Sequence, residues 1–110
     1  MKSVVDNLPF TPTYKFIIND TTKTITILGQ SFELIDKIKI YKLLKLFLEN
    51  EGVTLTKQEI FNNLWPNERF LPRTHTPRIY DLIKRIFLIC GQEQFNIEKS
   101  KLGYKFIFLK

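Results

Sequence analysis

Cysteine, histidine and tryptophan are nearly absent, with one of each in 110 residues. A lone Cys90 closes no internal disulfide, and a lone His75 builds no metal site by itself. Without a second His or Cys there is no nucleophile–base pair, and the few glycines form no phosphate-cradling loop. These gaps argue against an enzyme and leave no reason to expect a metal or cofactor. Long apolar runs are missing too, because lysines interrupt them well short of a membrane helix. The amino terminus, MKSVVDNLPF, has no sustained apolar region of the kind a secretory signal requires. With the unpaired thiol, this predicts a reducing, cytoplasmic setting and no membrane partner.

What is present points to one small folded domain. Hydrophobic residues make up 44% and aromatics 14%, ten of them Phe, which is enough to bury a single core. Charge is distributed unevenly. Residues 1–68 hold eight Lys against eight Asp and Glu, whereas residues 69–110 hold nine Lys and Arg against three acids. The whole net charge of +6 therefore sits at one end. That asymmetry predicts a face for a polyanion, with nucleic acid ahead of a membrane surface.

The pattern along the chain predicts an order of elements. Residues 1–13, with Pro9 and Pro12 among threonines, read as a flexible lead-in to a domain at 14–110. Tyr14–Ile18 and Thr24–Leu28 read as antiparallel strands across a turn-rich segment, with Ser31–Leu34 a short third. Asp36 is the expected N-cap of a first helix that places Ile40, Leu43, Leu44 and Phe47 on one face. Gly52 is the expected left-handed residue after that helix. Thr56 and Glu59 make a T-x-x-E capping box, flanked by Leu55 and Ile60 as a hydrophobic staple. A short helix Lys57–Trp65 should follow, stopped by Pro66.

The stretch from Arg69 to Arg85 holds all four arginines: Arg69, Arg73, Arg78 and Arg85. Ile79, Leu82, Ile83, Ile86 and Cys90 repeat at helical spacing and should face a core. Arg78, Asp81, Lys84 and Arg85 then project from the opposite side. The helix is expected over about 74–90, with Thr74 as N-cap and Pro77 in the first turn. Phe95–Ile97 and Tyr104–Leu109 read as a terminal hairpin, whose connection 98–103 carries Lys99 and Lys101.

This is the outline of an α+β winged helix-turn-helix: an amino-terminal antiparallel sheet, three helices and a carboxy-terminal β-hairpin wing. A helix about 10–12 Å wide fits the DNA major groove, braced by the helix before it. Lysines at a hairpin tip suit phosphates of the flanking DNA because they are flexible point charges.

Over residues 14–109 the sequence resembles the DNA-binding effector domains of OmpR/PhoB-type response regulators. The likeness is carried by the leading strands, by TKQEIFNNLWP, by RTHTPRIYDLIKRI and by the closing Gly103-Tyr-Lys-Phe. It implies a bacterial transcription regulator that binds double-stranded DNA at the nucleoid. It also implies a Trp65 indole on a phosphate, Tyr104 reaching DNA near the wing, and a loop that can touch RNA polymerase through Phe70 and Leu71. Departures are visible on the reading helix. Thr76 and Arg78 stand where the family usually has an acid and a histidine, and Asp81 where it has an arginine. The family's base preference therefore does not carry over, and no phosphorylation switch is assigned.

Residue by residue, Arg73, Arg78 and Arg85 have the geometry for bidentate contacts to guanine or phosphate. Asp81 either accepts from cytosine or pairs within the helix with Arg85 or Arg78. Lys84, Lys99 and Lys101 suit phosphates, and Thr74 and His75 complete a polar first turn. Each has a plainer alternative: solvated charges, a surface histidine, a Trp65 and Tyr104 that simply pack, a Phe70 and Leu71 tucked into the core. The expected function is sequence-specific DNA binding, with a second copy able to occupy an adjacent half-site. The rival is a winged helix that meets an acidic protein partner, and RNA or another polyanion comes third.

Overall fold

The computed structural model describes residues 15–109. The lead-in at 1–13 and the expected strand start at Tyr14 lie outside the described residues. Strands β1 (Phe16–Asn19), β2 (Thr24–Ile27) and β3 (Gln30–Glu33) form an antiparallel meander in that order. The first turn is held by Asn19, whose Oδ1 accepts from the backbone N–H of Thr21 at 3.0 Å and of Thr22 at 3.1 Å. Ile25 and Ile27 point inward while Thr24 and Thr26 alternate away, as a half-buried strand requires.

Helix α1 (Ile38–Glu49) buries Ile40, Leu43, Leu44 and Phe47 together with Tyr41 and Leu48. Its start corrects the sequence reading. Asp36 is not the N-cap; Lys37 occupies that position without a side-chain cap bond. The reason is a turn ahead of the helix, in which the Lys37 N–H donates to Leu34 O at 3.0 Å. The Asp36 carboxylate instead pairs with the Lys37 ammonium at 3.3 Å. At the other end Gly52 takes φ +81°, the left-handed region that its position was expected to need.

Asp20 ties the first sheet to α1. Its carboxylate accepts from the Tyr41 hydroxyl and from Lys45 Nζ at 2.9 Å. The Tyr41 and Lys45 hydrogen bonds hold the Asp20 carboxyl below its usual 3.8. Burial first, and then the bond to Asp20, pushes the Tyr41 phenol up to about 12.

A strand that the sequence did not announce, β4 (Thr54–Thr56), leads directly into α2 (Lys57–Leu64). The capping box forms as expected: Glu59 N–H donates to Thr56 Oγ1 at 3.0 Å, and Thr56 N–H to Glu59 Oε1 at 2.8 Å. The staple residues Leu55 and Ile60 are both buried.

Helix α3 spans Pro72–Cys90 and precedes the hairpin of β5 (Phe95–Lys99) and β6 (Gly103–Phe108). The helix begins earlier than the Thr74 cap implied. Leu71 is the N-cap and Pro72 sits in the first turn, where its missing N–H costs nothing. Pro77 therefore lies inside the helix, not in its first turn.

Strand β4 joins the hairpin in a second antiparallel sheet ordered β4-β6-β5. Gly103 stands opposite Thr56, and a Cβ added there would lie 1.9 Å from Leu55 O. Only glycine lets the two backbones approach this closely. An aromatic column fixes the sheet to the helices. Phe106 of β6 lies 6.3 Å from Phe47 of α1 and 4.7 Å from Phe95 of β5, and Phe95 lies 5.6 Å from Phe87 of α3. Each such pair adds about 0.5–1.5 kcal/mol beyond its buried area, so α3 and the wing share one rigid base.

Candidate nucleic-acid interface

The inner face of α3 is apolar by the spacing read from the sequence. Ile79, Ile83 and Ile86 are buried, with Leu82 and Cys90 packed against the same core. Burial pushes the Cys90 thiol up to about 11, which keeps it protonated and unreactive at neutral pH. Arg73, Thr74, Arg78, Asp81, Lys84 and Arg85 are all exposed. Arg78 and Arg85 are seven residues apart and so share one face to within about 20°. Asp81 pairs with Arg85, whose Nε donates to Oδ2 at 2.9 Å. Of the roles open to Asp81, the intrahelical pair is therefore formed.

His75 is a correction to the sequence reading. It is 3% exposed, although it was expected in a polar first turn open to DNA. The earlier helix start puts it one turn ahead of Ile79, on the apolar stripe. Its ring centroid lies 4.2 Å from Phe61, 5.9 Å from Trp65 and 6.1 Å from Phe70. Its Nδ1 accepts the Leu71 N–H at 2.9 Å, which satisfies a backbone donor at the N-cap. The neutral ring then carries its proton on Nε2, 3.7 Å from Glu68 Oε1.

Trp65 is half-buried, stacked on Phe61 at 5.3 Å with Lys39 Nζ 5.3 Å from its ring. Phe70 sits 5.2 Å from Phe61 and packs on the core, whereas its neighbour Leu71 stays 48% exposed. Of the two apolar loop residues, only Leu71 offers much surface.

The wing reverses at 100–102, where Ser100 N–H donates to Gly103 O at 2.9 Å. Lys99 and Lys101 are exposed, and Lys105 lies 3.7 Å from Glu98. Tyr104 is a second correction. It is 2% exposed, because it shares the core face of β6 with Phe106 two residues on. Its hydroxyl has no hydrogen-bond partner among the described residues.

One residue that the sequence reading passed over links the two elements. Tyr80, 48% exposed on α3, has Lys84 Nζ 5.5 Å and Lys99 Nζ 5.4 Å from its ring centroid. The aromatic–lysine spacing i,i+4 between Tyr80 and Lys84 was a signal for half of this cluster. The contribution of Lys99 depends on how the wing folds back. Lys84 of α3 and Lys99 of the wing are thus brought together at one ring.

Among the described residues, no three His, Cys, Asp or Glu side chains gather into a metal-holding group, and no helix is long and apolar enough to cross a membrane. No protein-family model matches the sequence, and no curated protein matches it. Solved structures do. The DNA-binding domain of CpxR from E. coli superposes with a TM-score of 0.65 at 18% identity, covering 93% of this chain and 99% of that one. The DNA-binding domain of Bacillus subtilis CssR gives 0.63 at 18% identity, over 83% and 98%. The AdeR DNA-binding domain, solved in complex with an intercistronic region, gives 0.63 at 19% identity, over 89% and 99%. The chain therefore has the winged-helix fold of the DNA-binding domains of OmpR/PhoB-type response regulators.

Proposed function

We propose that this chain binds double-stranded DNA sequence-specifically and regulates transcription, with α3 in the major groove and the wing on flanking DNA. One observation supports the reading: Lys84 of α3 and Lys99 of the wing, both exposed, are gathered at the Tyr80 ring. A surface that only needed solubility would have no reason to gather them there. AdeR, which shares the fold, is described in complex with an intercistronic region, and that supports extending the reading to this chain.

In this reading Arg73, Arg78 and Arg85 supply contacts to guanine or phosphate, and Thr74 lies near the strand backbone. Lys84, Lys99 and Lys101 neutralise phosphates. Trp65, His75 and Tyr104 act from behind by holding α2, α3 and β6 in place. Contact with RNA polymerase falls to Leu71 rather than Phe70, and a second copy binds an adjacent half-site. The protein works as a non-enzymatic regulator in the bacterial cytoplasm.

Two substitutions test the assignment. Arg78→Ala should relax base preference and weaken the best duplex by about 1–3 kcal/mol. Lys101→Ala should weaken all duplexes alike and leave preference unchanged. If both leave DNA binding untouched while an acidic protein still binds, the face serves a protein partner instead.

A further inference from the structure

The cluster around Tyr80 joins two elements that the general reading treats separately. Lys84 comes from α3 and Lys99 from β5, yet both ammonium groups lie within 5.5 Å of one ring centroid. Two ammonium groups gathered around one ring repel each other unless an anion lies near them. The nearest acids in sequence are already engaged: Asp81 pairs with Arg85, and Glu98 with Lys105. Among the described residues neither Lys84 nor Lys99 has a carboxylate partner. In the β5–β6 register Lys99 stands opposite Tyr104, whose buried hydroxyl has no partner among the described residues. Burial, and then the neighbouring Tyr80 phenol, push that hydroxyl's pKa up. Two exposed ammonium groups drawn to one ring from helix and wing, with no carboxylate partner among the described residues, are the arrangement an anion with several acceptor oxygens would complete.

We propose that Tyr80, Lys84 and Lys99 form one anion site at the junction of α3 and the wing, and that its ligand is a single backbone phosphate of a DNA strand. Helix and wing then grip the same phosphate rather than two separate stretches of backbone. The Tyr80 ring holds both lysines in position before DNA arrives, and its hydroxyl adds a donor. This rests on the DNA-binding reading above.

The test uses the full chain and the duplex recovered by selecting bound fragments from a random pool. Each phosphate of that duplex is replaced in turn by a neutral methylphosphonate, and affinity is measured for the unaltered protein, Lys84→Gln and Lys99→Gln. At one position the replacement should weaken the unaltered protein about tenfold, the scale of one charge-assisted contact. Both variants should lose their sensitivity at that same position. Tyr80→Leu, which keeps bulk at a half-exposed site, should reduce the sensitivity there without changing the melting temperature. If the two variants lose sensitivity at different phosphates, or at none, the shared site is refuted while DNA binding stands. Failure to bind any duplex refutes both.

Discussion

Replacing His75 separates a structural role from a recognition role, because the structure gives each a different magnitude. His75→Ala removes a buried ring from among Phe61, Trp65 and Phe70 and deletes the acceptor of the Leu71 N–H. Emptying a packed aromatic site costs about 3 kcal/mol, at the low end of large-to-small core changes because the ring is small. Losing the acceptor adds about 1 kcal/mol or less, since Leu71 is exposed enough for water to replace it. The packing loss therefore dominates. For a domain of this size the sum lowers the melting temperature by about 10 °C or more. His75→Phe keeps the bulk and loses only the acceptor, so it should recover most of that loss. Both variants, assayed well below their melting points, should keep the base preference of the unaltered protein. The reasoning fails if His75→Ala melts normally but binds DNA with altered preference.

Other consequences follow from single contacts. Gly103→Ala forces a Cβ against Leu55 O, so it should unfold the β4–β6 edge and lower the melting temperature sharply; an unchanged melt would mean the strands separate freely. Asp20 has a depressed folded pKa, so its stabilising contribution is complete above about 3.8 and is lost as pH falls through the lower folded value. Asp20→Asn should therefore flatten the acid limb of a stability–pH curve below that point. Tyr41 is raised from 10.0 to about 12, so its contribution is complete below 10 and fades as pH rises through 12. Tyr41→Phe should remove that alkaline limb. Asp81→Asn releases Arg85, so affinity for any duplex should rise at low salt, with stability changed by about 0.5 kcal/mol or less. A loss of preference for one base pair would instead show that Asp81 reads cytosine.

The elements that could be read in the sequence are those with a periodic or chemical signature. The α3 stripe from Ile79 to Ile86 and the Thr56–Glu59 capping box each carry one and lie where expected. The terminal hairpin also forms, but its connection shrinks from 98–103 to 100–102 because Glu98 and Lys99 extend β5 and Gly103 opens β6. Strand β4 has none. It is three residues long, too short for an alternating pattern, and its last residue, Thr56, doubles as the helix cap. The start of α3 was hidden by competing signals, since Pro72 and Pro77 both suit a first turn and Thr74 suits a cap. Carrying the apolar period one step upstream from Ile79 would have reached His75 and shown its burial. Asp36 misled because a good cap residue was already engaged by the turn before it. The Tyr80 cluster could only be half seen, because the Lys99 side of it depends on how the wing packs against the helix.

The most direct test of the central claim is to measure affinity for a selected duplex and a scrambled one across a range of salt concentrations. Binding through about six phosphates should give log K against log salt a slope of about −5, with the selected duplex favoured throughout. Equal affinity for both duplexes, or a slope near zero, would contradict the account.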